Sequence, residues 1–230
     1  MKLQWSYSGI KMFAQCARQY YHIKVVKDIP PTDSEATLYG KEMHKAAEDY
    51  IREGTPLPAK FTFLQSFMDS VGNISGERYC ELELGIKRGE QGEFLPCEFD
   101  DPDYWWHGIA DLVVVGGRKA YSIDYKTSKN AKYADTKQLD LIAAAIFLHF
   151  PHILQVKSAL AFVVSNEFIT KTHEAAFLAD YLGVFSNDLD RLHVAYESEV
   201  WNAQSGPLCK FCPVKSCEYS SEYKTSFWRK

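Results

Sequence analysis

The chain of 230 residues contains no apolar run near the roughly 18 residues that a membrane-spanning helix needs. Its opening, "MKLQWSYSGIKMF", has neither a signal-peptide core nor a small-residue cleavage site. Together these absences predict an intracellular, cytoplasmic protein. No internal repeat or low-complexity segment is visible. Positive charge is also in short supply, with 26 Lys and Arg against 30 Asp and Glu and a net charge of -4. That balance argues against a general polyanion binder but leaves room for a local basic groove. What is present is ordinary for a soluble globular chain: 46% hydrophobic and 24% charged residues, long enough to bury one sizeable core. One domain with a small appendage is expected. Six cysteines are present. In a reducing compartment, Cys16, Cys209, Cys212 and Cys217, set near the two ends, read as metal ligands before disulfides. Cys80 and Cys97 have no such partners and read as core or incidental thiols.

Along the chain, Ser6 or Ser8 would cap a first helix that runs through about residue 22, and Pro30 and Pro31 close the segment after it. A second helix fits residues 38–53, with Gly54 as its stop. The stretch "FTFLQSFMDSV" reads as a third. The period then changes. "RYCELELGI" alternates as a half-buried strand does, and "WWHGIADLVVV", Gly116-Gly117 and "RKAYSIDYK" read as a β-hairpin. Helical spacing returns in "ADTKQLDLIAAAIFLHF". A buried strand, "VKSALAFVV", and an edge strand, "EFITKTHEA", come next. A long amphipathic helix over residues 175–198 and a loop-like tail complete the chain. The order predicts an α/β core with helical additions.

The hairpin carries the first chemical signal. With Gly116-Gly117 as a two-residue turn, Val115 pairs with Arg118 and Asp111 with Ser122. Side chains two apart on a strand share a face, as do directly paired ones, so Asp111, Asp124 and Lys126 come to one side. A four-residue loop keeps this parity and sets Asp111 against Asp124, whereas a three-residue loop separates them. Two adjacent carboxylates repel unless a cation lies between them. Oxygen ligands of this kind suit Mg2+ or Mn2+. A lysine beside such an ion would position a water or face the charge that builds on a phosphate. A cross-strand pair of surface aspartates with a lysine is the plain alternative.

Four separated pieces, in order, resemble the PD-(D/E)xK nuclease superfamily and, within it, the RecB-like exonucleases. "GKEMHKAAEDYI" resembles the helical His motif, on His44. "HGIADLVVV" resembles the strand motif with Asp111. "SIDYKTSK" resembles the D-x-K motif, on Asp124 and Lys126, and "KQLDLIAAAIF" the Gln-led helix, on Gln138. The resemblance implies a restriction-endonuclease-like core: a central mixed sheet flanked by helices. It implies a bacterial, archaeal or phage-encoded DNA exonuclease, with a single-strand or end preference. The metal would be held by His44, Asp111, Asp124 and the Tyr125 carbonyl, with Lys126 beside the water and Gln138 in the site. One departure is Ile142, where the family often has Tyr.

Other readings stay open beside this one. His44 precedes Glu48 by one turn and would pair with it at i,i+4. In "DTKQ", Asp135 and Gln138 form a plausible capping box. Glu81 or Glu83 would face the metal as an outer ligand or else face solvent. Thr127, Ser128, Lys129, Lys132 and Lys137 are candidates for phosphate contact or for a solvated loop. Trp105 and Trp106 read as core packing, with one of them a candidate base-stacking ring.

"LCKFCPVKSC" spaces Cys209, Cys212 and Cys217 as C-x2-C-x4-C, with Cys16 far upstream. The set resembles the iron-sulfur staple of AddB-type and CRISPR-adaptation nucleases, although the last gap is one residue shorter than usual there. It implies a 4Fe-4S cluster that joins the chain ends in a structural role, with Zn2+ as the alternative metal. On this reading residues 1–230 are one nuclease domain, with a catalytic core at 38–175 and the cysteine site formed by 1–30 and 200–230. A non-catalytic nucleic-acid-binding module, or a zinc-stapled interaction protein of a recombination or CRISPR complex, is the alternative function.

Overall fold

The computed structural model describes residues 3–30, 32–128, 131–132 and 134–223. Pro31 and Lys129, expected as a helix stop and a phosphate contact, lie outside the described residues. The helices are α1 (Tyr7–Gln15), α2 (Ala17–Tyr20), α3 (Glu35–Glu53), α4 (Gln65–Gly72), α5 (Lys137–His149), α6 (Leu178–Gly183) and α7 (Ser186–Ser198). The strands are β1 (Glu77–Arg88), β2 (Phe94–Cys97), β3 (Tyr104–Gly116), β4 (Lys119–Lys126), β5 (Gln155–Phe162) and β6 (Glu167–Glu174). Among the described residues no helix is long and apolar enough to cross a membrane. The chain divides into two compact units, one of residues 3–4 and 33–184, the other of 5–32 and 185–223.

The first unit is built on a six-stranded sheet of order β2-β1-β3-β4-β5-β6. Only β4 and β5 are parallel; the remaining neighbours are antiparallel. Strand alternation sorts the two faces. Leu112, Val114, Ile123, Tyr125 and Ala161 pack with Met43, Ala47, Phe61, Leu64 and Met68 from α3, α4 and the 3-10 turn before α4. Leu160 and Phe162 turn the other way and meet Leu139 of α5. Every residue from Leu139 to Phe147 is buried. The three alanines in that run let the helix lie close to the sheet, which is what a helix apolar all round requires.

Several elements differ from expectation. β2 is not among the expected strands, because four residues that include Pro96 carry little periodic signal. Proline is tolerated there because the strand is at the sheet edge. The hairpin pairs Gly116 with Lys119 and Val115 with Ala120, so the turn is Gly117-Arg118, not Gly116-Gly117. Gly117 takes the left-handed φ of +60° that this turn needs, while Gly116 stays in the ladder. Relative to the expected pairing, β4 is displaced by two residues. A shift of two keeps every side chain on its face, and the register continues toward Asp111 opposite Asp124. α3 begins at Glu35, earlier than expected, because Ser34 Oγ accepts from the Thr37 N–H; Gly54, at φ +71°, ends it.

In the second unit the expected first helix is interrupted. Ser6 Oγ caps α1 by accepting from the Gly9 N–H, but Cys16 is extended (φ -163°, ψ 110°) and separates α1 from α2. A π-helical segment, Tyr21–Val26, continues from α2. The expected long helix over 175–198 is broken as well. A 3-10 turn, α6 and α7 replace it, with a break at Gly183–Phe185 that coincides with the boundary of the two units. Phe185 is buried against Trp5, with ring centroids 5.2 Å apart. Trp201 stacks on Tyr20 at 6.0 Å and meets Phe13 and Tyr196 edge-on. A 3-10 turn, Pro207–Phe211, shapes the cysteine-bearing tail.

Candidate active site

The site lies where two strands part. The β3–β4 ladder stops at Leu112–Ile123, while β4 continues beside β5 as far as Lys126–Phe162. In the resulting fork the Tyr125 N–H donates to Asp111 Oδ2 at 2.7 Å, so a carboxylate takes the place of a ladder carbonyl. His44, from α3, bridges the same two residues. Its Nε2 is 3.1 Å from the Tyr125 carbonyl oxygen and its Nδ1 is 3.4 Å from Asp111 Oδ1. Only the imidazolium donates to both. Burial works against that charge, but the hydrogen bond and charge of Asp111, with Asp124 and Glu81 behind it, hold the His44 pKa above its usual value. Positive charge is therefore favoured at this point of the fork.

Asp124 stands on the other side. Its Oδ1 accepts from Gln138 Nε2 at 2.8 Å, and Lys126 Nζ lies 2.5 Å from Oδ2. The Lys126 ammonium also donates to Gln138 Oε1 at 3.3 Å, so Asp124, Lys126 and Gln138 form a closed triangle. Both oxygens of this carboxylate are therefore engaged, Oδ1 by the Gln138 amide and Oδ2 by the Lys126 ammonium. Burial, then the negative charge of Asp111, pushes the Asp124 carboxyl up to about 6, against the opposing pull of Lys126. Gln138 does not form the capping box. The Lys137 N–H is taken by Asp135 Oδ1 at 3.0 Å, and the Gln138 amide is free to turn inward.

Strand alternation alone does not choose between Glu81 and Glu83. In the fold Glu83 is exposed, whereas Glu81 enters the site. One carboxylate oxygen each from Glu81 and Asp111, and one ring nitrogen of His44, lie within 4.8 Å of one another. The β1–β3 register, once known, is the signal that finds it. Cys80 pairs with Leu112 and Leu82 with Ala110, which places Glu81 across from Asp111. A cavity of about 500 Å³ opens beside these residues, lined among others by Gly40, Lys41, His44, Lys45, Glu81 and Thr127.

The other candidate residues fall outside this cluster. Glu48 does not pair with His44; it meets Arg52 at 2.8 Å and Lys45 at 3.4 Å. Trp106 is buried in the core, and Trp105 packs on Phe94 at 4.9 Å with Arg88 over its ring. Ser128, Lys132 and Lys137 are exposed, and Ile142 is buried. Cys97 is buried and Cys80 is half-buried beside the α3–α4 core. Within the second unit, Cys16, Cys209, Cys212 and Cys217 all line one cavity of about 280 Å³. Their sulfurs are not drawn into a tight group: among the described residues, the set of three or more metal-ligand side chains meeting within 4.8 Å is His44, Glu81 and Asp111.

A mixed sheet that forks around paired aspartates, a lysine and an imidazole is an arrangement suited to holding a divalent cation beside a phosphodiester. The sequence profile of the PD-(D/E)XK nuclease superfamily matches residues 4–217, and the chain belongs to that superfamily. No curated protein sequence matches it. Among solved structures, a candidate exonuclease from Eubacterium rectale shares the fold. It has 16% identity and a TM-score of 0.53, over 92% of this chain and 87% of that one. The protein SSO0001 aligns over 92% of this chain and 84% of its own at 13% identity, with a TM-score of 0.40.

Proposed function

We propose that the protein is a metal-dependent DNA exonuclease that hydrolyses phosphodiester bonds in the β3–β4 fork. The observation that carries this reading is the convergence there of Asp111, Asp124, Lys126, Gln138, His44 and the Tyr125 carbonyl. The donor set suits a hard divalent cation. Carboxylate and carbonyl oxygens with one imidazole fit Mg2+ or Mn2+, and a carboxylate oxygen of Asp111 already lies 3.4 Å from a ring nitrogen of His44. Asp111, Asp124, His44 and the Tyr125 carbonyl would hold the ion. When bound, it would polarise the scissile phosphate and lower the cost of forming hydroxide from water.

The protein's own groups supply the rest. Lys126 Nζ is held in one place by Asp124 and Gln138. From there it orients the attacking water and faces the charge that builds on the phosphoryl oxygens. Gln138 keeps the carboxylate and ammonium in register with each other. Lys41 and Lys45 line the neighbouring cavity with Thr127; they are paired with Asp33 and Asp49 in the DNA-free protein and would exchange those partners for backbone phosphates. The preference for single strands or ends rests on the resemblance to RecB-like enzymes. For attack from an end alone, the protein from Eubacterium rectale is also described as an exonuclease candidate. The test is degradation of end-labelled DNA with Mn2+ or Mg2+. Wild type should shorten the strand from an end, and Asp124→Ala should lose the activity; equal degradation by the variant removes the assignment.

The four cysteines are assigned to a structural 4Fe-4S cluster. Tetrahedral zinc at a Zn–S distance of about 2.3 Å brings its sulfurs to about 3.8 Å from one another. A four-iron cube carries one thiolate per corner iron and spreads them wider. The four thiols line one cavity, which supports a single shared site, and the choice of iron-sulfur over zinc rests on the resemblance to the iron-sulfur nucleases. Backbone N–H groups of Gln204 and Gly206 already point at Cys16 Sγ and Cys209 Sγ, at 3.5 and 3.3 Å, as donors to thiolates do.

A further inference from the structure

We infer that Glu81 is a direct ligand of the catalytic cation, a third carboxylate beside Asp111 and Asp124, and that its unusual backbone is retained for this purpose. The inference rests on the metal-dependent reading of the fork and adds a residue that none of the four sequence motifs contains. Glu81 has φ +50°, the left-handed region, in the middle of a strand. A glutamate there is held against its preference, since Gly, and after it Asn and Asp, are the residues that accept this conformation. A glutamate that only faced solvent would sit on regular strand, as Glu83 does two residues on. The distortion is local, because ladder pairs flank it on both sides, at Cys80–Leu112 and Leu82–Ala110. Arg52 of α3 pins it by donating to the Cys80 carbonyl at 2.8 Å.

The result is a carboxylate within 4.8 Å of both the Asp111 carboxylate and the His44 ring. Glu81 and Asp111 thus meet at His44, and Asp124 is near enough for the charge of Asp111 to act on it; among the described residues, the cations paired with Asp111 and Asp124 are His44 and Lys126. Such a group carries surplus negative charge that a divalent cation would neutralise. Strain kept at one residue in order to aim a side chain is a recurrent feature of working sites.

The experiment is Mn2+ titration of the DNA-free protein by calorimetry, with no turnover involved. Glu81→Gln should weaken Mn2+ binding by about tenfold or more, and Glu83→Gln should leave it unchanged. His44→Ala and Asp111→Asn serve as references. If both references weaken binding and Glu81→Gln does not, the role of Glu81 is overturned and the site stands. If none of the three weakens it, the metal site itself fails and Glu81 with it. Glu81→Gly separates ligand from fold. Glycine suits the left-handed backbone, so the metal-free Tm should hold or rise while the Mn2+-induced rise in Tm is lost. A fall in the metal-free Tm would show that Glu81 serves the fold, and would overturn the inference.

Discussion

Asp124 shows what the site costs the metal-free protein. Its carboxyl is 13% exposed and is pushed up to about 6 by burial and then by Asp111. The folded state therefore holds its proton to a higher pH than the unfolded chain, whose carboxylates titrate near 3.9. Stability falls as pH rises between those values, and the whole penalty, up to about 3 kcal/mol, is present above the upper one. Asp124→Asn should then raise the Tm of the metal-free protein at neutral pH, with the gain shrinking toward zero near pH 4. A thermal melt across that range checks it; no gain at neutral pH would contradict it. At this scale much was legible. His44, Asp111, Asp124, Lys126 and Gln138 each stood in a recognisable local motif, and hairpin parity survived a turn placed one residue too early. Glu81 was not legible as more than one of two options. Its position depends on the β1–β3 register, which no local pattern encodes.

Helix α5 is anchored as well as packed. Asp140, two residues beyond Gln138, is 4% exposed and accepts from Lys171 Nζ at 2.5 Å and from His173 Nε2 at 2.8 Å. The other ring nitrogen of His173 is 3.3 Å from Ser158 Oγ. Burial opposes the Asp140 charge, yet the bonds from His173 and Lys171 outweigh it and hold its pKa below the ordinary value. That stabilisation is fully present above the unfolded value near 3.9 and is lost as pH falls through the lower folded one. Asp140→Ala strands a buried imidazole. It should cost about 3 kcal/mol in urea unfolding at neutral pH, with the gap from wild type narrowing in acid. A loss under about 0.5 kcal/mol, the size of an ordinary surface change, would contradict this. Element boundaries were the weaker part of the sequence reading for a physical reason. Hydrophobic spacing continues unchanged across Cys16 and across Gly183–Phe185, so nothing periodic marks those breaks.

On the scale of the whole molecule, two compact units divide the chemistry. The sheet unit holds the carboxylates, lysine and imidazole, and the other unit holds the four cysteines. The α/β class was legible in the order of periodicities and the mixed sheet only through the family resemblance, whereas the edge strand β2 was legible in neither. Protein purified without oxygen should be brown, absorb near ~400 nm and contain iron and sulfide. Cys212→Ser should lose the colour. Colourless wild-type protein carrying one zinc would remove the cluster.

The central claim is that Lys126 serves the reaction without holding the ion. The most direct measurement compares wild type with Lys126→Ala for two quantities, Mn2+ affinity and the rate of DNA cleavage at saturating Mn2+. Cleavage should fall by about 100-fold or more, the scale of losing one preorganised charge-stabilising group, while Mn2+ affinity is retained. Undiminished cleavage by Lys126→Ala would contradict the account.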